Sequence, residues 1–254
     1  MKHTLVFLFI LSSFSIQAQF LSERIESGSS ESHLPFIFHQ NFDTQSQSYA
    51  AFFEMNSGGT YTGISGRHNQ NLPERTLSIE EIDQTGRLVS SKVFARRPAG
   101  SGIGDFSCAT ADFTTDRSLY VLLNNYTPGK EWNSVMKLNA MGDSVWEVMV
   151  SEKWQWSAIV MRKLKTHPFG GFVVAGSTNE FPTKARVSRY SDSGNLLWSN
   201  VGFKGDYGYN KFDAVTVNKE GKVFVGGIVH HNLNSRQSVL VAKVDTAGTI
   251  EWQK

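Results

Sequence analysis

Four glycines recur at nearly equal intervals in this chain, and each lies in a tight turn between two short apolar runs. The turn glycines are Gly86, Gly142, Gly194 and Gly248, separated by 56, 52 and 54 residues. After the last three, a tryptophan follows four residues later, whereas the first copy has Ser90 at that position. A regular period of this length indicates a repeat architecture, in which each copy buries its apolar surface against its neighbours.

Each repeat divides into four short runs rich in Val, Phe and Tyr and bounded by Gly, Asn and Asp, which predicts β-strands. In the last repeat these runs are Ala214–Val217, Val223–Val229, Val239–Val244 and Thr249–Gln253. The second run is apolar on both faces, as in a strand whose sheet is covered on both sides. The sequence therefore predicts an all-β fold, a β-propeller of four-stranded antiparallel blades. The expected blades span about 49–93, 108–150, 157–200 and 212–254, with Tyr120, Phe172 and Phe224 at equivalent positions.

Two segments of the last repeat carry a family resemblance. Lys243 to Trp252 reads K-V-D-x-x-G-x-x-x-W, and Phe212 to Gly227 reads F-D-A-V-T-V-N-x-x-G-x-V-F-V-G-G. These motifs resemble the SBBP-type β-propeller repeat, which occurs in tandem in secreted and surface proteins of bacteria. The resemblance covers most of residues 49–254 and implies blades, with no active site. The chain is more distantly similar to quinoprotein repeats, although its Asp245-to-Gly248 interval is one residue shorter than in that pattern.

The N-terminus has the pattern of an export signal. A basic start at Lys2 and His3 precedes an apolar run from Leu5 to Ile16, and Ala18 ends a plausible cleavage site. We therefore expect residues 1–18 to be removed, which predicts a secreted or cell-envelope location. We expect residues 19–48 to form a mobile segment that contains one strand at 34–38. No later run is apolar enough to predict a membrane span.

The net charge and the cysteine content limit which partners and which kinds of site the sequence predicts. The net charge of about +2 argues against a nucleic-acid partner. Cys108 is the only cysteine, so no internal disulfide can form, and we expect it to be a small buried side chain. The adjacent pair His230 and His231 points to opposite faces of a strand, which favours a surface pair over a metal site. The sequence predicts no metal and no cofactor.

The long connections are expected to lie at one end of the blades. They run between second and third strands, as from Asn124 to Asn133 in the second repeat, and between blades, whereas the other connections are uniformly tight. Binding residues concentrate on such loops, although the rings there could equally serve to pin the loops by local packing. The candidate binding residues at this end are Arg96, Arg97, Trp132, Trp154, Trp156, Tyr207, Tyr209, His230 and His231.

Two function classes remain open from the sequence. The first is an exported non-catalytic propeller that acts as a scaffold or recognition module for a protein or glycan partner. The alternative is a carbohydrate-active or quinone-dependent propeller enzyme, because carboxylates such as Asp105, Glu152, Glu180, Asp206 and Asp213 lie in or beside the long loops. We also expect an open arc, with further blades of the same chain, because the strand at 34–38 lacks a blade to join.

Overall fold

A computed structural model describes most of the repeat region and two short N-terminal pieces. The described residues are 10–12, 15–17, 46–55, 60–69, 74–85, 87–98, 106–127, 130–154, 161–178, 182–203, 207–230 and 237–254. Every regular element within these ranges is a β-strand. Strands β1 and β2 form a short antiparallel pair inside the segment predicted to be the export signal, with bounds Ile10–Ser12 and Ser15–Gln17. The strand expected at 34–38 lies outside the described residues.

The remaining strands form four antiparallel sheets, each of four strands in chain order. The first sheet contains β3 to β6, at Ser46–Met55, Tyr61–Asn69, Glu74–Ile82 and Leu88–Pro98. The second contains β7 to β10, at Phe106–Phe113, Leu119–Thr127, Lys130–Leu138 and Ser144–Trp154. The third contains β11 to β14, at Met161–Thr166, Phe172–Ser177, Ala185–Tyr190 and Leu196–Asn200. The fourth contains β15 to β18, at Tyr207–Val217, Val223–His230, Gln237–Val244 and Ile250–Gln253. The predicted propeller-type fold class is confirmed.

Successive sheets pack face to face. Strand β7 contacts β3, β11 contacts β7, and β15 contacts both β11 and β12, so the first strands of successive sheets lie side by side. Among the described residues, three apolar clusters fill the spaces between the first and second, second and third, and third and fourth sheets. No such cluster joins the fourth sheet to the first in this part of the chain. The described sheets therefore form a row with three interfaces.

The second strands explain why this packing is stable. In β12 every residue from Phe172 to Ser177 is buried, because the second sheet covers one face and the fourth covers the other. Cys108 is 7% exposed in the cluster between the first two sheets. This burial confirms the expected small buried side chain, and it raises the pKa of the thiol to about 12.

The proposed equivalence of Tyr120, Phe172 and Phe224 is wrong. Phe172 begins β12 and pairs with Tyr190, the last residue of its third strand. Its counterparts are Leu119 and Val223, which begin their own second strands and pair with Leu138 and Val244. Tyr120 and Phe224 are one residue further on, and a shift of one residue turns a side chain to the opposite face. The constant 52-residue step was a coincidence of loop lengths.

The turns between third and fourth strands close as the sequence predicts. The side-chain oxygen Oδ1 of Asn139 accepts hydrogen bonds from the backbone N–H of Met141 and Asp143, both at 2.9 Å. Asp245 Oδ1 does the same with Ala247 at 2.9 Å and Thr249 at 2.7 Å. Gly248 has a φ of 91°, in the left-handed region that glycine adopts without steric cost.

Each of these turns also lies on the preceding sheet. A Cβ atom at Gly248 would stand 2.8 Å from Cδ2 of Trp198, so the indole ring lies directly against the turn. The Trp198 Nε1 donates to the Thr246 carbonyl at 3.0 Å. Gly194 lies in the same way near Trp146 of the second sheet. Trp146 and Trp198 are thus half-buried packing residues between sheets, whereas Trp252, also predicted to pack between sheets, is exposed at 39%.

Basic residues of the first and second sheets make a further link to the turn of the following sheet. Lys137 Nζ contacts Asp192 Oδ2 at 2.7 Å, and Tyr120 Oη donates to Asp192 Oδ1 at 2.5 Å. The Lys137 ammonium and then the Tyr120 hydroxyl hold the pKa of the Asp192 carboxyl below its ordinary value. In the first sheet, which lacks the tryptophan, Lys92 donates to the Met141 carbonyl and to Asp143 Oδ1, both at 2.6 Å.

The tryptophan contacts predict different effects for two equivalent substitutions. Trp198→Ala removes a ring covered by the Gly248 turn, so the free energy of unfolding should fall by about 2–3 kcal/mol, just below the range for a fully buried ring. Trp252→Ala is the matched control, because Trp252 is 39% exposed and no turn packs against its ring in the described part of the chain. Its cost should stay below about 1 kcal/mol. Urea denaturation measures both, and equal losses would contradict the packing role.

A buried histidine between the third and fourth sheets predicts a pH dependence. His167 is 4% exposed; its Nδ1 accepts from the Phe169 N–H at 3.2 Å, which leaves a proton on Nε2 for the Gly221 carbonyl at 3.1 Å. Burial, and then the Arg189 cation, lower its pKa below the ordinary value of 6.5. Because the unfolded chain takes up a proton near that pH and the folded chain resists it, stability should fall as the pH drops below about 6.5. In thermal melts from pH 8 to pH 5, His167→Gln should lose less stability over this interval than the wild type.

Candidate functional site

We call the end of the sheets that carries the second-to-third and sheet-to-sheet connections the loop end. The strands reach further toward it than the sequence suggested: β8 continues to Thr127 and β9 begins at Lys130, leaving residues 128–129 between them. The expected loop from Asn124 to Asn133 is therefore mostly a paired hairpin. Antiparallel pairing satisfies backbone groups whatever the side chains are, so polar strand ends resemble loops in sequence.

Seven of the nine candidate binding residues consequently lie on strands rather than loops. Arg96 and Arg97 are in β6, Trp132 is in β9, Trp154 is in β10, Tyr207 and Tyr209 are in β15, and His230 ends β16. All seven remain at the loop end, as predicted. Trp156 and His231 lie outside the described residues.

The strand register places three of the candidates on the facing sides of the first two sheets. Arg97 pairs with Arg75, two residues before Leu77, so position 97 is on the face of the first sheet that is turned to the second. In the second sheet Trp132 has the same parity as Met136 and Leu138, which face the first sheet. Trp154 pairs with Lys130 and shares that face. Positions 97, 132 and 154 thus lie on the faces that the first two sheets turn toward each other, and we call the space between these faces at the loop end the gap.

The other candidates are separated from this gap. Arg96 pairs with Thr76 on the opposite face of the first sheet. Tyr207 pairs with His230, on the face of the fourth sheet turned away from the third. Tyr209 falls in the register shift between Tyr207 and Lys211. The nine residues therefore do not form a single site.

Trp132 is the candidate whose surroundings are best defined. Its side chain is half-buried, and the Lys130 Nζ lies 6.0 Å from the centroid of its ring. That distance is at the limit of an attractive cation–π contact. A paired strand fixes the backbone of Trp132 between Asn125 and Glu152. The ring is thus held on a rigid element with part of its surface open to solvent.

On the same face of the second sheet as this ring is a network of polar side chains that was not predicted from the sequence. Asn125 Nδ2 donates to Ser134 Oγ at 2.8 Å, and Ser134 Oγ donates to Glu147 Oε1 at 2.5 Å. Asn125 and Ser134 are 2% and 1% exposed. Because both polar groups are satisfied, they hold strands β8, β9 and β10 in register instead of offering themselves to a ligand.

Asn133 performs the corresponding role on the opposite face of the second sheet. Its Nδ2 donates to Asn124 Oδ1 at 2.7 Å, and its Oδ1 accepts from Ser151 Oγ at 2.9 Å and from the Met161 N–H of the third sheet at 3.0 Å. Asn210 makes a similar bond in the fourth sheet, where its Oδ1 accepts from the His230 N–H at 2.7 Å. The sequence signal was available, because the pairs Asn124-Asn125 and Asn133-Ser134 adjoin apolar runs directly.

The described carboxylate among the enzyme candidates already has partners. Asp213 forms ion pairs with Lys211 at 3.1 Å and with Arg162 of the third sheet at 3.4 Å. The side chains of Asp105, Glu152, Glu180 and Asp206 lie outside what the structure describes. Within the described part of the chain, no three His, Cys, Asp or Glu side chains come together as metal ligands. The same part of the chain contains no helix able to cross a membrane.

No family model and no curated protein matches the sequence. An apocarotenoid oxygenase from Synechocystis is similar in structure at a TM-score of 0.43 and 12% identity, over 77% of this chain and 46% of that one. A GH43 endo-arabinanase from Bacillus licheniformis is similar at a TM-score of 0.41 and 11% identity, over 87% and 85% of the two chains. This chain therefore spans just under half the length of the oxygenase.

The amide network predicts a large effect for one buried substitution. Asn133→Ala leaves the Met161 N–H and the Ser151 hydroxyl without their acceptor, so the free energy of unfolding should fall by about 2–3 kcal/mol. Asn195→Ala is the matched control, because that exposed amide only caps its own turn through Ser193 at 3.0 Å. It should cost less than about 0.5 kcal/mol. If chemical denaturation shows similar losses for both, the cross-sheet bond is not a stabilising contact.

Proposed function

We propose that this protein is an exported, non-catalytic recognition propeller that binds a glycan at the loop end of its first two sheets. The observation that carries the proposal is the half-buried Trp132 ring, held on a paired strand beside Lys130. Positions 97 and 154 lie on strands that border the same gap. Flat aromatic rings with nearby hydrogen-bonding groups suit the apolar face and the hydroxyls of a sugar.

Rigidity of the support favours recognition. The Asn125–Ser134–Glu147 hydrogen bonds join β8, β9 and β10. The strand that carries the Trp132 ring therefore has little conformational freedom left to lose on binding. The buried polar side chains described near this end are engaged in such structural bonds. A ligand would therefore meet the strand ends and their aromatic side chains, a surface adapted to binding.

Export is the second part of the proposal. It is supported by the signal-like residues 1–18 and by the resemblance to repeats of secreted bacterial proteins. A lone buried cysteine is compatible with an oxidising compartment, because Cys108 cannot form an internal disulfide and is shielded from solvent.

A glycan screen with two tryptophan variants tests the binding proposal. The purified chain is applied to an array of bacterial and plant polysaccharides, and positive binders are titrated by calorimetry. Trp132→Ala should weaken binding at least about tenfold, since stacking on one ring contributes on the order of 1–2 kcal/mol. Trp252→Ala is the control, because this exposed ring lies on the fourth sheet, away from the gap.

Two results would contradict the proposal. Equal affinity of the folded Trp132→Ala variant and the wild type would remove the gap as the binding site. Release of reducing sugar from a bound glycan, at a rate lost on substitution of a loop-end carboxylate, would make the protein a carbohydrate-active enzyme instead.

A further inference from the structure

The first strand of each of the four sheets carries a β-bulge at the same place. Each bulge interrupts the register between the residues that pair with the fifth and the fourth residue of the following strand. The bulged residues are Ala51, Ala109, Arg162 and Asp213. A bulge re-aims the side chain that it carries, and bulges are frequent beside functional sites. Because the first strands of successive sheets lie side by side, the four bulges stand at the same level of the fold.

In the third and fourth sheets the bulged residues are charged, and their side chains meet. Arg162 Nη1 donates to Asp213 Oδ1 at 3.4 Å, and Lys211 Nζ contacts the other oxygen of the same carboxylate at 3.1 Å. Lys163 follows Arg162 directly and has an exposed side chain. We call Arg162, Lys163, Lys211 and Asp213 the bulge cluster. It joins two sheets at their first strands, where the second sheet has the uncharged Ala109.

Positive charge is in excess in the bulge cluster. Asp213 is its one carboxylate, and it is shared by Arg162 and Lys211, while Lys163 forms no ion pair within the described part of the chain. The neighbouring pair of Lys165 and Asp112, at 2.6 Å, is neutral by itself and does not change this balance. Three cations therefore face one anion, in a chain whose net charge is only about +2.

The Arg162 guanidinium is poorly matched by acceptors of the protein. Its Nε is enclosed and has no hydrogen-bond acceptor among the described residues. Its contact with Asp213, at 3.4 Å, is longer than the usual 2.7–3.2 Å. The side chain is nevertheless 39% exposed, so the terminal nitrogens are open to a ligand. Because the Nε end is enclosed, the group is held in place and has less freedom to lose on binding.

We propose that the bulge cluster binds an oxyanion, the carboxylate or phosphate group of a small ligand, between Arg162 and Lys211. The planar guanidinium offers paired N–H donors that match two oxygens of such a group, and the lysine ammonium adds a point charge. Asp213 holds the two cations near each other, and Lys163 contributes further attraction. The ligand thus supplies the acceptors that Arg162 lacks within the described structure.

Calorimetric titration of the purified chain with sodium glucuronate and with inorganic phosphate, at constant ionic strength, tests this site. The wild type should bind at least one of the two with a dissociation constant below about 5 mM. Arg162→Gln should weaken binding at least about tenfold, because the paired donors are lost. Lys163→Gln should weaken it about threefold and keep the melting temperature, because this side chain is exposed and an exposed charge contributes little. Tighter binding of glucuronate would identify an acidic sugar as the ligand class, and tighter binding of phosphate a phosphorylated ligand.

A lysine at the other end of the fourth sheet provides the control. Lys219→Gln removes the same charge from an exposed residue in the turn between β15 and β16, and it should bind like the wild type. No binding of either anion up to about 20 mM would overturn the proposal. Equal affinities of the Lys163→Gln and Lys219→Gln variants would overturn it as well, since binding would then follow net charge alone. Trp132→Ala should leave anion binding unchanged, so failure here is separate from failure of glycan binding at the gap.

Discussion

The structure depends on the need of each sheet to be covered on both faces. A four-stranded sheet here has no core of its own, because its second and third strands carry apolar side chains on either side. The residues of β12 are buried only because β8 and β9 lie on one side and β15 and β16 on the other. Stability is thus a property of pairs of sheets, as in other repeat proteins, where interfaces between neighbours contribute most of the free energy.

The turns between third and fourth strands link local structure to this packing. The carboxylate or amide at the start of the turn satisfies two backbone N–H groups, and the glycine takes a positive φ. The absence of a side chain at that glycine then allows the turn to lie against an indole of the previous sheet. The polar residue and the glycine of each turn therefore close the hairpin and let it pack on the neighbouring sheet, which is why Gly and Trp recur together in the sequence.

The fold could be predicted from the sequence because this link is local. Turn residues and apolar runs identify four strands per repeat, and the structure contains them. Register and strand length were harder to predict. Phe172 was aligned one residue away from its true counterparts, and Asn124, Asn125 and Asn133 were predicted to lie in a loop although they belong to β8 and β9. Both errors have one cause. Pairing across a hairpin depends on the partner strand, and a single strand's side chains do not reveal how far that pairing continues.

The tryptophan itself is less essential than the motif suggests, as the first sheet shows. There the position holds Ser90, which donates to Glu81 within the same sheet. Lys92 covers the next turn instead: its Cδ would stand 3.3 Å from a Cβ at Gly142, and its Nζ donates to the Met141 carbonyl. In the third sheet Trp198 supplies both the cover and the donor, while in the second sheet Trp146 gives cover and Lys137 and Tyr120 reach Asp192. The constant requirement is a side chain that shields the left-handed glycine and a donor that satisfies an acceptor of the turn, since a covered carbonyl or carboxylate without a donor is costly. Several residue types meet it, so a repeat can lose its most conspicuous residue and keep its interface.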